Sequence, residues 1–169
     1  IIGGSNSNDI VAVATSEDQI GQFSFIVYHY ALPDNEVNDW LVEKHIEFFP
    51  NPVTGEVDYP DLFTGCSFAT AQAMAIALDA TDGDTPPEAM IPALEGLSFD
   101  SPKGTIYIRP SDHQALVPMY LIEIANVDSP EFDFYNLIEE IDPVTAAPPC
   151  LLEGDFADRC EMDAEFMEM

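Results

Sequence analysis

The stretch that decides the fold is residues 94–124, LEGLSFDSPKGTIYIRPSDHQALVPMYLIEI. Within it, residues 100–104, DSPKG, are rich in residue types that favour tight reversals of the chain. Residues 105–109, TIYIR, alternate β-forming side chains and predict a strand. A second, mostly apolar strand is predicted from Ala115 to Ile124, where Pro118 indicates a sheet edge or a bulge. The stretch therefore predicts a small hairpin-like β unit, and it contains no catalytic motif.

Upstream of this unit, strand and helix patterns alternate. FSFIVYHY, from Phe23 to Tyr30, predicts a strand, and the apolar spacing from about Asn35 to Phe49 predicts a helix. A long helix rich in small residues is predicted from Asp61 to Ala80. Thr85 to Glu88 is interpreted as a capping box that opens another helix, which ends at Gly96. Such alternation indicates an α/β sandwich.

The region after the β unit predicts one further strand and an acidic tail. The strand is expected from Phe132 to Ile141, before the sequence becomes loop-like. We expect residues 1–145 to form the folded domain and residues 146–169 to form a partly ordered tail. No apolar run is long enough to cross a bilayer, and no signal peptide is present, so we expect a fragment or a processed chain of an exported protein.

Acidic residues dominate the charge of the chain. Its 169 residues include 32 Asp and Glu against four Lys and Arg, which gives a formal net charge of −28. Nucleic acid is therefore not an expected partner, because proteins bind the phosphate backbone through Lys and Arg. Self-repulsion of this size destabilises a protein in dilute buffer and is screened at high salt. We interpret the source as salt-adapted (halophilic), with a merely acidic secreted protein as the alternative.

The three cysteines fit one disulfide and one free thiol. Cys150 and Cys160 are close in sequence, and in an oxidising compartment a disulfide between them is plausible. Cys66 is then expected to be a buried thiol. The alternative pairing joins Cys66 to Cys160.

The sequence shows no recognisable catalytic or metal-binding motif. His113 follows Asp112 in a predicted turn, but no nucleophile accompanies them, so we interpret His113 as a surface residue. A group of acids does not have EF-hand spacing; it comprises Asp79, Asp82, Asp84 and Glu88. No Cys/His pattern suits zinc, and no glycine-rich phosphate loop is present. We therefore expect neither an enzyme nor a bound metal or cofactor.

Four short motifs occur in a fixed order: a helix end A-L-x-G, then F-D-x-P-x-G, a D-H-Q turn and a strand with P-x-Y. The residues that carry them are Ala93, Leu94, Gly96, Phe99, Asp100, Pro102, Gly104, Asp112, His113, Gln114, Pro118 and Tyr120. In this order they resemble the late part of the extracellular solute-binding proteins of ABC importers. The subfamily is the one that binds branched-chain amino acids, amides and urea on the type I periplasmic-binding fold.

The resemblance covers most of the chain but only about the last half of the family fold. It implies an incomplete type I periplasmic-binding sandwich, mainly the second lobe together with crossover helices of the first. We expect a parallel sheet with too few strands and an edge left exposed where the absent segment would pair. The missing N-terminal half of the same fold is then an expected partner.

The resemblance also implies a function. A member of this family is a non-enzymatic receptor that captures a small polar solute and delivers it to the membrane subunits of an ABC permease. Its location would be extracytoplasmic, either periplasmic or on the cell surface, and a lipid anchor on a missing N-terminus is one form of the latter. The alternative is a ligand-sensing domain of a receptor or regulator on the same fold.

Ligand-binding residues are implied at two places. Ser5 and Asn6 lie in a Gly-Gly-Ser-Asn loop after a predicted strand, where ligands bind in α/β folds, although a plain turn there is the alternative. Phe63, Thr64 and Phe68 lie near the start of the long helix, where the family has an aromatic residue over the ligand. Amino-acid-binding members have an acid near the Gly-Gly loop, where this chain has Ser5. This departure argues against an α-amino acid and leaves a neutral amide or another small polar solute open.

Overall fold

The computed structural model describes residues 16–51 and 54–163. The helices in these ranges are α1 (Glu36–Phe48), α2 (Leu62–Ala80), α3 (Pro87–Leu94) and α4 (Pro143–Ala146). The strands are β1 (Phe23–Ile26), β2 (Ser98–Ser101), β3 (Gly104–Ile108), β4 (Ala115–Leu116), β5 (Met119–Ile124) and β6 (Tyr135–Ile141). Short 3₁₀ segments occur at Glu17–Gln19 and Gly154–Asp163. The mixed α/β class predicted from the sequence is confirmed.

The two longer helices begin at side-chain caps. Asn35 Oδ1 accepts a hydrogen bond from the Asn38 N–H at 2.9 Å and so starts α1. Asp61 Oδ1 accepts hydrogen bonds from Phe63 N–H at 2.9 Å and Thr64 N–H at 3.0 Å and so starts α2. Both caps satisfy backbone donors that have no partner within the helix. The first turns of both helices therefore follow from local sequence.

The predicted capping box before α3 is wrong. The residue at the N-cap is Pro86, and no side-chain cap hydrogen bond forms there. Pro87 instead occupies the first turn, where a missing N–H costs nothing because that group has no helical partner. At the other end, Gly96 follows the last residues of the helix with φ +75°, as predicted for a glycine that ends a helix.

The described strands form two three-stranded antiparallel sheets, with the orders β1-β5-β6 and β2-β3-β4. The expected parallel pairing is therefore wrong for these strands. A tight turn joins β2 to β3, so these two strands must run in opposite directions. Helices α1, α2 and α3 and the second sheet lie between β1 and β5 in sequence, yet Phe23 pairs with Glu123.

The predicted strand from Ala115 to Ile124 is two strands that belong to different sheets. β4 pairs with β3, whereas β5 pairs with β1 and β6. Pro118 lies between β4 and β5, where its missing N–H takes no part in either ladder. The irregular pairing in the larger sheet falls at Leu121/Ile122 and not at Pro118.

The larger sheet carries the main hydrophobic core. Every second residue of β5 is buried, namely Tyr120, Ile122 and Ile124, and these side chains pack with Ile26 and Phe134.

The last strand, β6, begins three residues later than predicted, at Tyr135. Phe132 has φ +57°, which an extended strand does not allow. A second buried cluster forms around Tyr28, Leu41 and Leu62, where α1 and α2 meet the end of β1.

The segment after β6 contacts the loop between β3 and β4. Arg109 is almost fully buried, and its guanidinium makes hydrogen bonds to Asp112 and, at 2.8 Å, to the Pro148 carbonyl. Arg159 donates to the Pro110 carbonyl at 2.9 Å. Asp112 thus holds Arg109 within the loop, and the Pro148 carbonyl joins it to the following segment.

Two further features of the described residues bear on the sequence analysis. Cys150 and Cys160 form a disulfide, while Cys66 is free and only partly buried. None of the helices in the described part of the chain is long and apolar enough to cross a membrane.

Candidate functional site

A groove of about 490 Å³ lies between α1 and α2. Its residues are mainly aromatic, with a few polar groups at the edge: Trp40, Leu41, Lys44, His45, Phe48, Phe49, Thr64, Ser67 and Phe68. This volume lies within the range of small-molecule sites, which are typically apolar concavities with a few polar groups. The groove is therefore the candidate ligand site among the described residues.

Two of the predicted ligand-binding residues lie in this groove. Thr64 and Phe68 line it, whereas Phe63 is largely exposed to solvent and does not. Ser5 and Asn6 lie outside the described residues. Of the residues predicted near the start of the long helix, Thr64 and Phe68 thus lie in a common groove. A ligand-binding role for the loop near residue 5 stays a prediction.

The cap of α2 fixes the first turn of the groove wall. Asp61 Oδ1 accepts from two backbone N–H groups and also from Thr64 Oγ1 at 3.2 Å. Since the Thr64 hydroxyl donates to Asp61, its remaining lone pairs are available to accept a hydrogen bond from a ligand. The rings of Phe68 and Trp40 lie 5.7 Å apart and form one aromatic surface.

The polar edge of the groove is formed by α1. Lys44 Nζ lies 2.8 Å from carboxylate oxygens of both Glu43 and Glu47. His45 stacks on Phe49 with ring centroids 5.5 Å apart. Partial burial lowers the pKa of His45, an effect that nearby Asp58 and Asp61 oppose. The edge thus offers one neutral imidazole and one cation that already contacts two carboxylates.

A second aromatic cluster lies where the chain leaves β1. Tyr30 and Tyr59 stack with ring centroids 4.6 Å apart, and the Tyr30 hydroxyl donates to the Glu131 carbonyl at 2.5 Å. The sequence predicted a strand to Tyr30, but β1 ends at Ile26. The consecutive Y-H-Y at the end of an apolar run was the signal for this cluster, because aromatic side chains beyond a strand end need other packing partners.

His29 in this cluster is buried in its neutral form. Its Nε2 donates to the Phe132 carbonyl at 2.9 Å, which leaves Nδ1 to accept from the Ala31 N–H at 3.4 Å. Burial lowers the pKa of His29 to about 4, although the Phe132 carbonyl and the charge of Asp133 act in the opposite direction. His29 therefore holds the β5–β6 connection against the end of β1 and is not available as a general base.

Tyr28 connects the end of β1 to the helices of the groove. It is fully buried, and its hydroxyl donates to Asn38 Oδ1 at 2.9 Å. The same Asn38 donates from Nδ2 to the Tyr30 carbonyl at 2.8 Å. Burial and the negative charge of nearby groups raise the pKa of Tyr28, so its hydroxyl stays a donor. Tyr28 thus positions α1 through Asn38.

No metal centre is evident in the part of the chain that the structure describes. Among residues 16–51 and 54–160, no three His, Cys, Asp or Glu side chains converge as metal ligands.

Comparison with solved structures identifies the fold. The chain matches an ABC-type branched-chain amino acid transporter from Rhodopseudomonas palustris with 32% identity and a TM-score of 0.65, over 83% of this chain and 35% of that one. A periplasmic binding protein from Burkholderia mallei matches with 16% identity and a TM-score of 0.68, over 85% and 36%. A leucine-, isoleucine-, valine-, threonine- and alanine-binding protein from Brucella ovis matches with 18% identity and a TM-score of 0.65, over 86% and 36%. No protein-family model and no curated protein matches the sequence.

These matches define the class as an α/β fold of the type I periplasmic-binding kind. Within that class, the resemblance to the solute-binding proteins of ABC transporters that the motifs indicated is confirmed. The chain spans about 35% of the length of the Rhodopseudomonas palustris relative.

Proposed function

We propose that this chain is part of a non-enzymatic receptor that captures a small polar solute and delivers it to an ABC permease. The observation that carries the proposal is the 32% identity to an ABC-type branched-chain amino acid transporter over 83% of the chain. A location outside the cytoplasmic membrane, in the periplasm or at the cell surface, belongs to the same proposal. The relative from Burkholderia mallei is a periplasmic binding protein.

The solute is proposed to be a branched-chain amino acid, an amide or urea. The groove between α1 and α2 supports a small ligand with an apolar body, because Phe68 and Trp40 form an aromatic surface beside the Thr64 hydroxyl. The relative from Brucella ovis binds leucine, isoleucine and valine, whereas one from Rhodopseudomonas palustris was solved with 3,4-dihydroxybenzoic acid. Ser5, Asn6 and Phe63 are proposed to complete the site with Thr64 and Phe68.

Ligand capture is proposed to proceed by closure of two lobes. Since this chain spans about a third of the length of its relatives, we propose that the rest of the fold supplies the opposite wall of the site. A ligand that contacts both walls favours the closed form, and the permease then recognises that form. Tyr28 and Asn38 hold the β1 end and α1 together, so this wall would move as one body.

The proposal is tested by solute binding. Leucine, acetamide and urea are each titrated into the chain, and the shift in melting temperature and the calorimetric heat are recorded. We expect one solute class to stabilise the protein, and Phe68→Ala to remove most of that stabilisation. Phe156→Ala is the matched control, because Phe156 is an exposed phenylalanine outside the groove. Binding that Phe68→Ala leaves unchanged would place the site elsewhere and contradict the proposed groove.

The second candidate, a ligand-sensing domain on the same fold, predicts the same binding but a different partner. A receptor of an importer stimulates ATP hydrolysis by the reconstituted permease when the solute is present. A sensing domain leaves the permease unaffected and is joined to a membrane-spanning helix and a signalling domain in the complete gene. The structural relatives favour the importer, because they are transporter components.

A further inference from the structure

Lys103 is a buried cation without a carboxylate partner among the described residues. The other three cations each contact a carboxylate: Lys44 with Glu43 and Glu47, Arg109 with Asp112, and Arg159 with Glu95. Lys103 is only 6% exposed, and its Nζ lies 3.6 Å from Cys66 Sγ. In a chain with 32 acidic residues, a buried ammonium without a carboxylate needs a physical explanation.

A thiol alone satisfies this ammonium poorly. An ammonium has three donors, and a neutral thiol is a weak acceptor for one of them. Burial of a charged group is costly unless the charge is paired and hydrogen-bonded. The ammonium of Lys103 therefore lacks part of its hydrogen-bonding and charge partners, which an external anion can supply.

The backbone of Lys103 is held by the turn between β2 and β3. Its N–H donates to Ser101 Oγ at 3.1 Å, and its carbonyl accepts from the buried Tyr120 hydroxyl at 3.0 Å. Ser101 Oγ also donates to the Gly104 carbonyl at 2.8 Å. The turn therefore fixes the point from which the Lys103 side chain starts.

Lys103 faces a cavity of about 300 Å³ between α2, α3 and the smaller sheet. Apart from Lys103, Cys66 and Thr70, its lining is apolar; it includes Ala69, Ala73, Leu94, Phe99, Ile106 and Ile108. The α2 residues that line this cavity are on the opposite side of the helix from Thr64 and Phe68, as the helical spacing requires. The cavity is therefore separate from the groove assigned to the transported solute.

We propose that this cavity is a second ligand site, which takes a small monocarboxylate with an apolar body. The carboxylate pairs with Lys103 Nζ, and the aromatic or branched aliphatic body lies against the apolar lining. Charge complementarity selects the carboxylate, because a neutral molecule of the same shape leaves the ammonium unpaired. This inference concerns a different face of α2 and does not rest on the proposed transport function.

The test uses 4-fluorobenzoate as the probe and 4-fluorobenzamide as its neutral counterpart, with binding followed by fluorine NMR. We expect saturable binding of the carboxylate and at least about tenfold weaker binding of the amide. Lys103→Met, which keeps an unbranched apolar side chain, is expected to weaken carboxylate binding by a similar factor. Arg159→Gln is the matched control, because it changes the net charge equally and Arg159 lines neither the groove nor the cavity, so it is expected to have no effect.

The position of the probe is tested at Cys66, which lines the cavity and is the free thiol of the chain. Bound 4-fluorobenzoate is expected to slow alkylation of Cys66 by iodoacetamide, and Phe68→Ala is expected to leave this protection unchanged. Equal binding of the acid and the amide, or binding without protection of Cys66, would overturn the proposal. These measurements use protein with Lys103 intact, so they decide the matter even if Lys103→Met does not fold.

Discussion

The ring of Tyr28 lies directly on Gly65, so closely that a Cβ at position 65 would come within 2.6 Å of Tyr28 Cδ1. Tyr28 is fully buried and also donates a hydrogen bond to Asn38 in α1. The end of β1 is therefore in contact with both helices that form the candidate groove. Glycine at position 65 is required because no other residue leaves room for the ring.

Gly65→Ala is expected to destabilise the protein even though alanine favours helix formation. The added methyl must displace the Tyr28 ring, and overpacking of this kind costs about 1–3 kcal/mol. Urea unfolding gives the free energy of unfolding. Ser67→Ala is the control on the same helix, because Ser67 is exposed and its replacement is expected to change stability by less than about 0.5 kcal/mol. A further check is Tyr28→Leu, in which Gly65→Ala should cost less because the ring is absent.

His29 is expected to make the protein less stable as the pH is lowered. Its pKa is lowered by burial from 6.5 to about 4 in the folded protein, so the unfolded chain takes up the proton first. The stabilising contribution is complete above about pH 6.5 and is lost as the pH falls through about 4, by an amount on the order of 3 kcal/mol. His29→Gln should flatten the pH dependence of the free energy of unfolding. Equal slopes for His29→Gln and the parent would contradict the prediction.

The disulfide is expected to hold the segment that carries Arg159. Replacing Cys150 and Cys160 by alanine opens a loop whose sequence separation is 10, and the cost is at most about 3 kcal/mol. The Arg159 contact with the Pro110 carbonyl should weaken as well, because the segment loses a constraint. The melting temperature measures the loss of stability, and the rate of proteolysis measures how far the segment that carries Arg159 is released. Cys66→Ala is the control, and a melting temperature that responds to reductant only when Cys66 is present would indicate a different pairing.

Salt is expected to stabilise the protein steeply. A net charge of −28 makes the carboxylates repel each other over the whole molecule in dilute buffer, where the Debye length is about 30 Å at 0.01 M. At about 1 M the Debye length is near 3 Å, and each carboxylate interacts only with its neighbours. The melting temperature should therefore rise between about 0.05 M and about 1 M NaCl. A flat or falling melting temperature would show that repulsion does not govern stability and would remove the main support for a salt-adapted source.

Part of the fold and of the candidate site was predictable from local patterns. The caps at Asn35 and Asp61 act on N–H groups two or three residues ahead, so their signals are contained in the sequence nearby. Thr64 and Phe68 were expected in a ligand site only through a family resemblance. Trp40 was not expected in a ligand site, because it meets Phe68 only when α1 and α2 pack together.

The sequence by itself determined the turn after β2, the caps at Asn35 and Asp61 and the buried face of β5, because each depends on residues within a few positions of one another. Tertiary structure decided which strands pair, and β1 takes β5 as its neighbour across three helices and a second sheet. Alternation within a strand shows which face is buried but does not name the partner strand. The burial of Lys103 was decided in the same way, because its cavity forms only when two helices close over the smaller sheet.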